Sequence, residues 1–217
     1  MKALALAIGL QSFALQRRLG DLPVPRDHYP VDALQFMVDH QLEGKLVVCF
    51  NWAQYALAAL APETQVGFDG RFRTCYPQEI IDMHFDFLLG EAAGKRCRSP
   101  ESGEIDGSRV LEYESPDLVL LDLRQDIAVK VMQSEAAGAN PAWVLLYRDP
   151  LAEVWGRRDR YDEPIHQDYF STRARVLKDQ PVGEAVLWPA LPIRTAETQL
   201  AVGDPAQYSP RSGSDSF

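Results

Sequence analysis

The chain has 217 residues, a net charge of −9 and a pI near 4.9. This charge excludes an extended basic surface for nucleic acid, since phosphate contacts need clustered Lys and Arg to displace counterions. Hydrophobic residues make up 46% and charged residues 24%, so the chain is long and apolar enough to build a core.

The first segment, "MKALALAIGLQSFALQRRLG", places an apolar run between Lys2 and Arg17-Arg18. It is shorter than the about 20 apolar residues that a membrane-spanning helix requires. Three readings fit it: a signal-peptide core without a clean cleavage site, the end of a membrane helix, or an ordinary amphipathic helix. Pro23, Pro25 and Pro30 then punctuate a linker.

In "VDALQFMVDHQLEG", Ala33, Leu34, Met37 and Val38 share one helical face, with Gly44 as the expected C-terminal cap. "KLVVCFN" is a continuous apolar run of the kind a strand buried on both faces shows. A helix from Trp52 to the residues before Pro62 follows, with Asn51 expected to cap its first turn. "QVGFDG" predicts a second strand that ends in a turn.

Pro77 opens a further helix, on which Ile80, Ile81, His84, Phe85 and Leu88 line up and which Gly90 stops. His84 on this face is read as a hydrogen-bonded core histidine rather than a ligand. Residues 91–116 read as a polar loop insertion. "DLVLLDL" predicts a third buried strand, "RQDIAVKVMQSEAAG" a helix, and "AWVLLYRDPLAEVWGRR" a hairpin whose charged tip is a solvated edge. Residues 166–217 lack periodicity, and the last 20 have the composition of a disordered tail.

Strands alternating with helices predict an open three-layer α/β sandwich with a mainly parallel sheet and an antiparallel edge hairpin, spanning residues 21–165. Ligands in such folds sit outside the carboxyl ends of the strands. Asn51, Asp69 and Asp122 fall at such ends, and Arg71 follows Asp69 by two residues. Asn51, Trp52, Asp69, Arg71 and Asp122 are therefore the candidate ligand residues. Planar polar groups beside the Trp52 ring would suit a sugar. Asp69 and Arg71 could instead pair with each other, or Asp69 could simply hold the turn.

No dinucleotide fingerprint, phosphate-binding loop, nucleophile elbow, cofactor motif or metal motif is present. Cys49, Cys75 and Cys97 form no CxxC pair, and a Cys75–Cys97 bridge stays open. No catalytic residue is assigned.

Pro30, Asn51, Trp52, Tyr55, Leu57, Pro62, Asp69, Gly70, Arg71, Asp117, Trp143, Tyr147 and Asp149 occur in an order that resembles the C-terminal soluble domain of polytopic, lipid-linked-sugar-dependent glycosyltransferase-like membrane proteins. The resemblance covers residues 28–158 and departs at Ala53-Gln54, where that group carries two glycines. It implies a non-catalytic, extracytoplasmic domain that positions a glycan, a lipid-linked sugar or an acceptor, or braces the membrane part. It also implies that the N-terminal apolar run attaches the domain to a membrane. Two other readings compete: a free-standing α/β binding or scaffold protein, and a small hydrolase or transferase using Asp69 and Asp122 as strand-end acids.

Overall fold

The computed structural model describes residues 2–91, 97–180 and 183–194. The outermost tail residues, expected to be disordered, lie outside the described residues.

Helix α1 (Lys2–Gly20) leads into the two-residue strand β1 (Pro23–Val24). Helix α2 (Val31–Asp39), strand β2 (Gly44–Val48), helix α3 (Phe50–Leu60) and strand β3 (Thr64–Val66) follow. Helix α4 (Gln78–Leu89) precedes the insertion, after which come β4 (Leu118–Asp122), α5 (Asp126–Glu135), β5 (Trp143–Arg148) and β6 (Ala152–Arg157). A short helix α6 (Arg158–Tyr161) and the two-residue strands β7 (Val176–Leu177) and β8 (Val186–Leu187) complete the order.

The main sheet has the order β3-β2-β4-β6-β5-β7. Strand β2 runs parallel to both β3 and β4, and β5 runs parallel to β7. Strand β6 is antiparallel to both its neighbours, β4 and β5, so it alone opposes the common direction. The predicted α/β sandwich with a mainly parallel sheet is therefore what the chain forms. The hairpin β5–β6 lies on one side of the sheet, and β7 adds a short strand outside it. A separate two-stranded sheet joins β1 to β8.

The chain leaves β2 through α3 to reach β3 on one side, then returns through α4 to β4 on the other. With right-handed crossovers these two moves place α3 and α4 on opposite faces of the sheet. Helix α2 packs with α3, and α4 packs with α5. Strand β4 is buried at every position, as its unbroken apolar run demands.

Three local expectations change. Gly44 is not a helix cap but the first residue of β2, and α2 ends at Asp39 with His40 as its C-cap. Helix α3 starts at Phe50 with Cys49 at the N-cap, which puts Asn51 inside the first turn rather than before it. At the hairpin tip Arg148 and Pro150 are exposed as expected, but Asp149 is turned inward. Asp149 is 4% exposed and accepts hydrogen bonds from the Leu151 and Ala152 N–H groups and from the Tyr147 hydroxyl, each at 2.7 Å.

The insertion packs on α4. Asp82 on that helix accepts a hydrogen bond from the Ser99 N–H (2.8 Å) and one from the Ser102 hydroxyl (2.6 Å), and Asp86 pairs with Arg98. These contacts bury both aspartates, on a helix side that the apolar periodicity does not mark. The described part of the region after residue 165 also joins the fold. Phe170 is 8% exposed among the core residues, and Ile193 exchanges two hydrogen bonds with the Gln35 side chain on α2.

Gly44 has φ +124°, and a Cβ there would lie 2.3 Å from Asp117 Oδ2, the atom that accepts the Lys45 N–H. Gly44→Ala is expected to cost about 2 kcal/mol through strain and overpacking. Urea unfolding checks this as a lower midpoint at unchanged slope.

Candidate functional site

Because β3 and β4 lie on opposite sides of β2, the sheet has its topological switch between the carboxyl ends of β2 and β4. In open α/β sheets this reversal leaves a crevice where ligands bind. Here it is a cleft of about 630 Å³, walled by the first turn of α3, by Asp122 and Arg124 beyond β4, and by His28 and Tyr29 before α2.

Two carboxylates at the rim are held in the same way. Asp69, beyond β3, is fully buried and accepts the Arg71 backbone N–H at 2.8 Å, and the Arg71 guanidinium grips both its oxygens at 2.7–3.0 Å. Asp122, at the end of β4, is 2% exposed and accepts the Arg124 N–H at 2.9 Å, with the Arg124 guanidinium on both oxygens at 2.8–3.2 Å. Each is an Asp-x-Arg clamp. The buried acid fixes the turn through the N–H two residues on, and the same acid orients a guanidinium whose far side remains in solvent.

The clamps set the electrostatics of the rim. Hydrogen bonding from Arg71, more than its charge, holds the Asp69 carboxyl below the usual aspartate range. Hydrogen bonding to Asp122 likewise raises the Arg124 guanidinium above its ordinary value. Neither acid has a free oxygen edge for proton transfer, which weakens a role for the two as an acid–base pair.

Helix α3 points its amino end at the cleft, as Phe50, Asn51 and Trp52 all border it. No side-chain oxygen caps the first turn. The Trp52 N–H donates to the Cys49 carbonyl at 3.0 Å, and the Asn51 N–H lies against the Cys49 sulfur, a weak acceptor. Burial, helped by the nearby Asp122 charge, pushes the Cys49 thiol up to about 12, so it is an inert wall rather than a nucleophile. The positive end of the helix dipole and the Arg124 guanidinium thus face the same space.

The five sequence candidates separate. Asn51 is exposed and borders the cleft, as does Asp122 through its arginine. Asp69 and Arg71 stand at the adjacent strand end and pair with each other, while Gly70 between them borders the cleft. Trp52 is corrected as a sugar platform. Its ring is 1% exposed and its Nε1–H donates to the His28 carbonyl at 2.9 Å, because its position on α3 turns it into the core. The exposed aromatic residue of the cleft is Tyr29, set edge-on to Tyr55 with ring centroids 5.9 Å apart. Sequence reading missed Tyr29, Gln54, Arg124 and Gln125. Only Arg124 left a signal, since Asp122-Leu123-Arg124 repeats the spacing of Asp69-Gly70-Arg71.

Elsewhere, His84 is 2% exposed and bonded to the Val48 backbone, in keeping with its reading as a core histidine. All three cysteines are free thiols. Among the described residues no cluster of His, Cys, Asp and Glu could hold a metal ion, and no helix is long and apolar enough to cross a membrane.

No family model, curated protein or solved structure matches this chain.

Asp69→Asn removes the charge that holds Arg71 and is expected to lower Tm by roughly 2–4 °C. The folded-state pKa of Asp69 is depressed, so its contribution is complete above about pH 4 and disappears as pH falls through the folded value. Thermal melts between pH 2 and 7 should show wild type and variant converging at the acid end.

Proposed function

We propose that this chain is a non-catalytic recognition domain that binds a sugar or sugar phosphate in the rim cleft. The observation that carries this reading is the convergence of the amino end of α3 with a clamped Arg124 at the sheet's switch point. A phosphate or other anionic group would sit against the helix dipole and the guanidinium. Hydroxyl groups would meet Asn51, Gln54 and Gln125, with the Tyr29 ring as the apolar contact. Such a ligand agrees with the lipid-linked sugars that the resemblance to glycosyltransferase-like membrane proteins implies. An acid–base hydrolase is the weaker reading, because Asp69 and Asp122 are each engaged by their own arginine.

Calorimetric titration with mannose and mannose 1-phosphate tests the proposal. The phosphorylated sugar is expected to bind about tenfold more tightly, the worth of one charge-assisted hydrogen bond. Arg124→Gln alone would leave Asp122 buried without its cation, so the paired change Asp122→Asn with Arg124→Gln is the proper variant. Loss of the phosphate preference in that variant supports the reading, and an unchanged preference overturns it.

Membrane attachment through α1 belongs to the same proposal. Ile8, Phe13 and Leu15 are 55–67% exposed, and Arg17 and Arg18 close the helix. The helix gathers its apolar residues on no single face, so the support for attachment is its exposed apolar side chains together with the two arginines, which an anionic bilayer surface attracts. The extracytoplasmic side rests on the resemblance alone. Phe13→Ser with Leu15→Ser in the full chain is expected to reduce co-sedimentation with phosphatidylglycerol vesicles several-fold. Equal sedimentation of variant and wild type would remove the membrane from the proposal.

A further inference from the structure

A second cavity, of about 450 Å³, opens on the α4 face of the sheet, and no residue lining it also lines the rim cleft. Its floor is the paired strands β2 and β3, one wall is α4, and the 110–116 turn of the insertion closes the other side. The interior is apolar, built from Val66, Phe68, Ile80, Met83 and Val110, whereas Lys45, Tyr113 and Glu114 are polar residues of the lining. Its size falls in the range of small-molecule sites, roughly 300–1,000 Å³.

One feature of the wall is not explained by packing. His84 borders the cavity with its ring against Phe68, the centroids 4.4 Å apart. Strand β3 ends at Val66, paired with Leu46, so β2 runs on past its neighbour. The imidazole bonds to the backbone of Val48, which is paired with Leu120 of β4 on one side and has no β3 partner on the other. That bond consumes one ring N–H, and Nε2 is left without a partner just behind the wall, with essentially no accessible surface, so a ligand reaches it only by displacing the side chains that cover it. A buried acceptor without a hydrogen bond is costly, and nearly all such groups in folded proteins find a partner.

We propose that this cavity is a second ligand site, distinct from the rim cleft, that takes a small, mainly apolar ring compound donating one hydrogen bond to His84 Nε2. The donor must come from the ligand. Burial pushes the His84 pKa down to about 4, so the ring is neutral at neutral pH and its unbonded nitrogen only accepts. A hydroxyl or N–H on an aromatic body satisfies this nitrogen while the ring fills the apolar interior. The proposal is independent of the sugar reading, because the two sites share no lining residue.

Phenol and toluene are the probes: they match in shape and differ in one donor. Titrated into the full chain at pH 7, phenol is expected to bind about tenfold more tightly than toluene, the effect of one buried hydrogen bond. In a histidine-labelled sample followed by ¹⁵N NMR, the His84 Nε2 resonance should move with phenol and stay with toluene. The His84→Phe chain should lose the preference while still binding toluene. Should that variant fail to fold, the NMR titration of the wild type decides alone. Equal affinity for the two probes, or a His84 Nε2 resonance that phenol leaves in place, would overturn the proposal.

Discussion

The parallel pairing of β2 with β4, Leu46 to Leu118 through Val48 to Leu120, is the constraint on which the other features depend. Both strands are sealed over most of their length, so their backbone groups have no water to fall back on. Inside the sheet the ladder satisfies them. At the carboxyl ends the ladder stops, and the N–H groups beyond it need acceptors. Asp122 at the end of β4, and Asp69 in the turn beyond the neighbouring β3, supply these by accepting from residues two positions on, and the charge this buries is matched by an arginine from the same turn. The clamps are therefore first a solution to strand termination. Their guanidinium groups reach the rim as a consequence.

The same requirement explains α4. A helix covering one face of the sheet would ordinarily show a single apolar stripe, yet Asp82 and Asp86 are buried on it. The insertion gives these carboxylates their partners through Ser99, Ser102 and Arg98. A segment that looks like a solvated loop by composition is thus a second layer over α4, and it closes the cavity beside His84.

The architecture was legible because buried parallel strands write themselves as unbroken apolar runs and helices as period-3.6 stripes. "KLVV" and "LVLLD" carry that signal directly. The two-residue strands β7 and β8 carry none, since a pair of residues has no period. At the candidate site, Asp69, Arg71 and Asp122 were found from their place at strand ends, and the Asp69–Arg71 pairing was among the alternatives. For Trp52, the residue name does not reveal which way the helix turns its side chain. The α3 start two residues early rotated Trp52 into the core and left Asn51 facing out. Tyr29 comes to the cleft from a linker more than 20 residues upstream in the chain, a proximity that only the packing of α2 against α3 creates.

Each rim arginine carries its own neutralising partner, so the clamps add dipoles to the cleft but no net charge. The chain around them is strongly anionic at −9. A ligand bearing negative charge therefore meets long-range repulsion and only short-range attraction, the reverse of a steered encounter. Added salt shortens the reach of the repulsion to within about 10 Å at 0.1 M while leaving contacts at hydrogen-bond distance largely intact. If the rim takes an anion as proposed, its capture would quicken with ionic strength, and its selectivity would lie in geometry rather than in accumulated charge.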